Sequence, residues 1–183
     1  MQRTFELAKL GMGHTSPNPL VGALLVSDDN NYRIIGEGYH QVYGGPHAEI
    51  NAIRDAQSRG EKIEGATLFC NLEPCCHTKK QTPPCAAELI KQKIGLVVIA
   101  NVDPNPQVAG GGIAQLRQSG IEVVTGVLEE QGKKLNEVFF KFIQTGLPFV
   151  HLKMGQTLDG KVAARKVGLD QTKYITGPES LAK

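Results

Sequence analysis

Residues 66–100 read ATLFCNLEPCCHTKKQTPPCAAELIKQKIGLVVIA. Ala66–Asn71 is an apolar run of strand length, Pro83–Gln92 carries helical spacing, and Leu96–Ala100 is a second buried strand. The prolines sit at the start of the helix, where a missing N–H donor costs nothing. The pattern extends outward on both sides. Upstream, Arg3–Leu10 reads as a short helix that the Gly, Ser, Pro and Asn of Gly11–Pro19 terminate. Leu20–Ser27 is a strand, Asp28-Asp29-Asn30-Asn31 a turn and Arg33–Tyr39 its antiparallel partner. His47–Arg59 follows as a helix, burying a selection of Ala48, Ile50, Ala52, Ile53 and Ala56. Downstream come a helix over Gly112–Ser119, a strand over Ile121–Thr125 and one long helix over Glu129–Thr145. The apolar face of that last helix is Leu135, Val138, Phe139, Phe142 and Ile143. A hairpin followed by alternating strands and helices implies an α/β fold: a mixed sheet with helices on both faces.

Gly146-Leu147-Pro148 is the expected boundary, dividing the chain into residues 1–145 and 146–183. Beyond it Phe149–Met154 reads as a strand, followed by a segment rich in Gly, Lys and Thr. A tail of that length cannot build its own core.

Composition narrows the function. At 40% hydrophobic and 21% charged residues, the chain has the balance of a globular protein. A formal net charge of +2 with no basic stripe argues against nucleic acid or an anionic membrane as partner. Neither a secretion signal nor a membrane-length apolar run is expected, so the reading is a cytoplasmic protein. It leaves homo-oligomer formation open. The four cysteines, Cys70, Cys75, Cys76 and Cys85, crowd into sixteen residues. A disulfide framework spreads its cysteines, whereas such clustering points to metal or catalysis.

His47-Ala48-Glu49, Pro74-Cys75 and Pro84-Cys85 carry the chemistry. One imidazole and two thiolates leave the fourth tetrahedral position of a zinc ion open to water, the mark of a catalytic rather than a structural site. Glu49, two residues from His47, is placed to move a proton. His-x-Glu with Pro-Cys pairs is the pattern of zinc nucleobase deaminases. His47 and Cys85 both open helices, where unpaired backbone N–H groups favour a thiolate. Two other arrangements compete at this stage. In one the cysteines alone close a structural zinc knuckle, and in the other Cys76 rivals Cys75 as ligand although it does not follow the proline. Cys70 ends a strand and reads as core.

The motifs Ser16-Pro17-Asn18-Pro19-Leu20-Val21-Gly22, Gly44-Gly45-Pro46-His47-Ala48-Glu49, Leu72-Glu73-Pro74-Cys75-Cys76-His77, Thr82-Pro83-Pro84-Cys85 and Asp103-Pro104-Asn105-Pro106 follow one another in order. As a set they resemble the bifunctional riboflavin-biosynthesis deaminase–reductase family. The resemblance implies a cytidine-deaminase-like three-layer α-β-α sandwich, with zinc on His47, Cys75 and Cys85 and with Glu49 as proton shuttle. The implied reaction is hydrolytic deamination of 2,5-diamino-6-ribosylamino-4(3H)-pyrimidinone 5′-phosphate, zinc hydroxide attacking the amino-bearing ring carbon. The same resemblance implies that Asn18, His40 and His77 contact this phosphorylated pyrimidine, and that Lys79 or Lys80 holds its phosphate. One departure is visible. Nine residues separate Cys75 from Cys85, where the family has eight, and Lys79-Lys80-Gln81 replaces the usual Gly-Lys or Gly-Arg. With both ligand flanks kept, the extra residue is expected to bulge as loop.

Leu152-Lys153-Met154-Gly155-Gln156-Thr157-Leu158-Asp159-Gly160-Lys161 and Tyr174-Ile175-Thr176-Gly177 resemble the opening of the family's reductase domain. The resemblance implies the start of a dihydrofolate-reductase-like fold that uses NADPH, with Lys153 and Tyr174 toward the cofactor and Thr172 toward substrate. Reduction itself is expected of a longer chain. Two alternatives stand beside this reading: a zinc deaminase of another nucleobase or nucleoside, and an inactive zinc-binding fragment.

Overall fold

The computed structural model describes residues 1–29, 31–76, 84–106, 109–156 and 158–161. The chain divides into two compact units, Met1–Pro148 and Phe149–Lys183.

The first unit is built on one five-stranded sheet. Its strands are β1 (Gly22–Val26), β2 (Ile34–Tyr39), β3 (Thr67–Leu72), β4 (Leu96–Asn101) and β5 (Glu122–Thr125), in the order β2-β1-β3-β4-β5. β1 runs antiparallel to both β2 and β3, whereas β3, β4 and β5 run parallel. The sheet is therefore mixed, as the hairpin-then-alternation pattern requires. The expected hairpin is present, with Ala23 opposite Gly38.

Helices α1 (Gln2–Lys9), α2 (Ala48–Ser58), α3 (Cys85–Lys91) and α4 (Gly111–Gln118) lie close to their expected spans. The main core joins one sheet face to α2, α3 and α4. Ala23, Leu25, Leu68, Cys70, Val97 and Ile99 alternate along their strands and pack with Ala52, Leu89 and Leu116 of the helices. Residues between them point the other way. There α1 lies against Gly22 of β1, and a further helix lies against Ala100 of β4. This gives the three layers, α-β-α.

The long helix expected over Glu129–Thr145 is two helices, α5 (Glu129–Leu135) and α6 (Glu137–Thr145), broken at Asn136. The physical reason is a competing partner. Asn136 is 5% exposed; its Oδ1 accepts the Leu20 N–H at 2.8 Å, and its Nδ2 donates to the Leu20 carbonyl at 2.9 Å. Its backbone, at φ −111° and ψ 27°, leaves the helical range to make that pairing. The expected apolar face of the long helix is accordingly not buried in the core; no residue of α6 is fully buried.

In the second unit, the strand expected over Phe149–Met154 is not formed. The segment carries no strand ladder among the described residues, and an extended run becomes a strand only where such a ladder forms. No helix among the described residues is long and apolar enough to cross a membrane.

Candidate active site

The parallel strands end together on one side of the sheet, and the chemistry gathers there. In open α/β sheets, the crevice beyond the carboxyl ends of the strands is the usual ligand position. β3 runs into Glu73-Pro74-Cys75, and β4 runs into the loop holding Asp103 and Asn105. α2 brings its N-terminus to the same place. His47 is its N-cap, in extended conformation, and Glu49 lies in its first turn. This approach depends on Gly38 of β2: a Cβ there would come within 2.3 Å of both the Ala48 carbonyl oxygen and the Ala52 nitrogen.

His47, Cys75 and Cys85 converge so that one ligand atom from each lies within 4.8 Å of the others. His47 Nδ1 stands 3.2 Å from Cys85 Sγ and 3.5 Å from Cys75 Sγ. The backbone N–H of Cys85, first residue of α3, points at Cys75 Sγ at 3.4 Å. The Cys85 thiol, together with His47 and this N–H, holds Cys75 well below the ordinary thiol range. Hydrogen bonding to Cys75 and burial drive Cys85 the opposite way. Two buried thiolates side by side repel, and a dication between them removes that penalty. An imidazole and two thiolates at these spacings are a donor set suited to zinc, with a tetrahedral position left over.

Glu49 is the other half of the site. It is 3% exposed, and its Oε2 has no hydrogen-bond partner among the described residues. Burial raises its carboxyl above the ordinary carboxylate range, against the opposing pull of His47. A buried carboxyl with an uncommitted oxygen is costly as structure and useful as a proton carrier.

Above these groups opens a cavity of about 310 Å³, within the range of small-molecule sites. Asn18 and His40, both expected at the substrate, line it. His40 is held on two sides: its Nδ1 meets the Pro46 carbonyl at 3.1 Å, and its Nε2 meets Asn18 Nδ2 at 3.1 Å. Its ring also stands edge-on to His47, with centroids 5.5 Å apart. Cys70 lies buried in the core and is not one of the converging ligands, and Cys76 is half-buried and likewise outside the set.

The family profile described as the cytidine and deoxycytidylate deaminase zinc-binding region matches residues 1–101. The chain belongs to that deaminase family. Among its relatives, the riboflavin biosynthesis protein RibD of Actinobacillus pleuropneumoniae is 48% identical over 183 residues, all of this chain and 46% of the relative. A solved structure of Acinetobacter baumannii RibD superposes with a TM-score of 0.88 at 44% identity, covering 98% of this chain and 48% of that one. The Thermotoga maritima diaminohydroxyphosphoribosylaminopyrimidine deaminase/5-amino-6-(5-phosphoribosylamino)uracil reductase superposes at 0.83 with 52% identity, covering 89% and 45%. The resemblance to the riboflavin deaminase–reductases is thus supported by whole-chain similarity, and the chain spans about half the length of these relatives.

As a deaminase-family site, the cavity also has walls that motif reading did not assign. Asp103 and Asn105 line it from the loop after β4, and Phe139, Phe142 and Ile143 line it from α6. The Asp-Pro-Asn-Pro motif marked the first pair as a landmark without a role. The apolar spacing of α6 reads as core in any sequence, so nothing local marks Phe139 or Phe142 as pocket residues. Lys153, expected near a cofactor, lies exposed in the second unit. His77, Lys79, Lys80, Thr172 and Tyr174 lie outside the described residues.

Proposed function

We propose that this chain deaminates 2,5-diamino-6-ribosylamino-4(3H)-pyrimidinone 5′-phosphate in riboflavin biosynthesis. The observation that carries the reading is the buried, uncommitted Glu49 Oε2 beside the His47–Cys75–Cys85 cluster, with Glu49, His47 and Cys75 lining a cavity of about 310 Å³. Similarity to the riboflavin enzymes selects this substrate among those of zinc deaminases.

His47, Cys75 and Cys85 hold zinc, which when bound acts as a Lewis acid that makes a water nucleophilic near neutral pH. Glu49 takes a proton from the attacking water and hands it to the exocyclic nitrogen. The C–O bond forms, the C–N bond breaks, and ammonia leaves. Burial raises the affinity of Glu49 for that proton, which suits a group that must accept and then return it. Asn18, held by His40, offers its amide to the pyrimidine edge. The apolar side chains of α6 keep water from the ring, and a drier site strengthens each charge interaction within it.

On the same reading His77 is a substrate-binding residue, and Lys79 or Lys80 holds the phosphate. Residues 1–145 form the deaminase domain, and residues 146–183 open a reductase domain of dihydrofolate-reductase type. On that reading Lys153 and Tyr174 are residues for binding NADPH and Thr172 a residue for binding substrate, in a complete reductase domain. The protein works in the cytoplasm on a small phosphorylated pyrimidine, without nucleic acid or membrane, and its assembly as a homo-oligomer fits the same reading.

Ammonia release from the diaminopyrimidine phosphate, with cytidine as comparison, tests the proposal on zinc-loaded chain. Release from the former alone is expected. Release from cytidine alone would keep the zinc chemistry and overturn the substrate, and release from neither would leave a zinc-binding protein without this activity.

A further inference from the structure

Glu73 is a buried acid that the chemistry above does not use. It follows β3 and stands two residues before Cys75, with 4% of its surface exposed. Its carboxylate is filled by backbone donors. Oε2 accepts from Asp103 N at 3.2 Å and Gly110 N at 3.0 Å, and Oε1 accepts from Gly112 N at 2.9 Å and Ile113 N at 3.2 Å. Four acceptor positions are all a carboxylate has.

These four donors belong to two structures. Gly112 and Ile113 lie in the first turn of α4, whose N-cap Gly110 supplies no side chain of its own. Asp103 and Gly110 bracket the loop that leads from β4 to that helix and carries Asp103 and Asn105 into the cavity. Within the loop, Asn105 N donates to Asp103 Oδ1 at 2.9 Å and Ala109 N to the Asn105 carbonyl at 2.9 Å. Glu73 meanwhile donates its own N–H to the Asn101 carbonyl at 2.9 Å. Pro74, between Glu73 and Cys75, is pressed against α4: a Cβ on Gly112 would lie 2.0 Å from the Pro74 carbonyl oxygen.

We infer that Glu73 is a positioning residue for deamination: it fixes the Asp103–Asn105 wall of the cavity relative to the backbone that presents Cys75. β3 and β4 pair in register as far as Leu72 and Asn101, the Glu73 N–H adds the rung to Asn101, and beyond it the Glu73 carboxylate reaches Asp103 and Gly110 of the next loop. One carboxylate between them sets the distance from metal ligand to substrate wall. This role rests on the deaminase reading given above.

Glu73→Gln keeps the shape and replaces one oxygen with an amide NH₂ that must face two backbone N–H donors. On zinc-loaded chain, this variant is expected to keep stoichiometric zinc and to lose about tenfold or more in kcat/KM, mostly through KM. In an Asn105→Ala background, the same change should cost less than about twofold further, because both act through one loop. Amide exchange gives a readout independent of turnover: Asp103, Gly110, Gly112 and Ile113 should exchange faster, with β4 unchanged. Multiplicative losses, loss of zinc, or faster exchange across the whole unit would make Glu73 a general stabiliser and overturn the inference. If Glu73→Gln does not fold, Glu73→Asp, which keeps the charge but withdraws it by one methylene, carries the same cycle. If the unaltered chain does not deaminate the diaminopyrimidine phosphate, the substrate reading fails. The exchange pattern then decides the positioning role alone, selective loosening supporting it and uniform loosening refuting it.

Discussion

Gly38→Ala should damage both stability and chemistry, and Gly36→Ala should damage stability more than chemistry. A Cβ on Gly38 would meet the Ala48 carbonyl oxygen and the Ala52 nitrogen at 2.3 Å, where ordinary contact begins near 3.4 Å. The backbones of β2 and α2 must therefore separate by about 1 Å, a displacement that core overpacking ordinarily prices at about 1–3 kcal/mol. Ala48 lies between His47 and Glu49, so this shift moves the ligand and the proton carrier directly. A misplacement of about 1 Å can cost on the order of 10²-fold in rate. Gly36 sits on the same face two residues earlier, and its Cβ would meet the Ala52 carbonyl oxygen at 2.4 Å, one helical turn further from the site. Urea unfolding should show comparable losses for the two variants, while kcat/KM should fall about tenfold further in Gly38→Ala than in Gly36→Ala. Equal activities in the two, or a Gly38→Ala protein within about 0.5 kcal/mol of the parent, would refute the claim that this close approach aims the site.

Glu49→Gln should fold, bind one zinc and lose deamination by about 10²–10⁴-fold, measured as ammonia release; near-normal turnover would sink its role. Cys75→Ser should lose zinc and the stability coupled to it, read by metal analysis and chemical unfolding, while Cys76→Ser should lose neither. Retained zinc in the first and lost zinc in the second would transfer the ligand to Cys76. Asn136→Ala strands the Leu20 N–H, whose carbonyl still keeps Asn71 Nδ2 at 2.9 Å. Because that site is part-buried, a loss of about 1–2 kcal/mol is expected in urea titration, and no measurable loss would remove the clamp from the account.

How much could be read from the sequence differs between the two halves of the site. His47, Glu49, Cys75 and Cys85 are conspicuous because their residue types are rare at such spacings and metal chemistry demands them. The strands from Gly22 to Thr125 are equally plain, being short apolar runs cut by Gly, Asn and Pro. What stayed hidden depends on partners far away in the chain. Asn136 looks like a tolerated polar residue inside a helix until Leu20 is placed beside it. Phe139 and Phe142 have the spacing of a core face and instead line a cavity. Glu73 reads as one letter of a Pro-Cys motif, and its four N–H partners lie at least thirty residues away. The strand expected at Phe149–Met154 shows the limit of local propensity, because a strand also needs a ladder and none forms on this segment among the described residues.

The Asn136 pairing also orders events in time. It joins residues 116 positions apart, whereas His47, Glu49, Cys75 and Cys85 have all been synthesised once Cys85 is made. At about 5–20 residues per second, ribosomes need roughly 3–10 seconds more to reach Asn136. During that interval a nascent chain can own a complete set of metal ligands without the α6 wall or the strap on Leu20. The wall that α6 gives the cavity is thus available only to a chain that already contains every metal ligand.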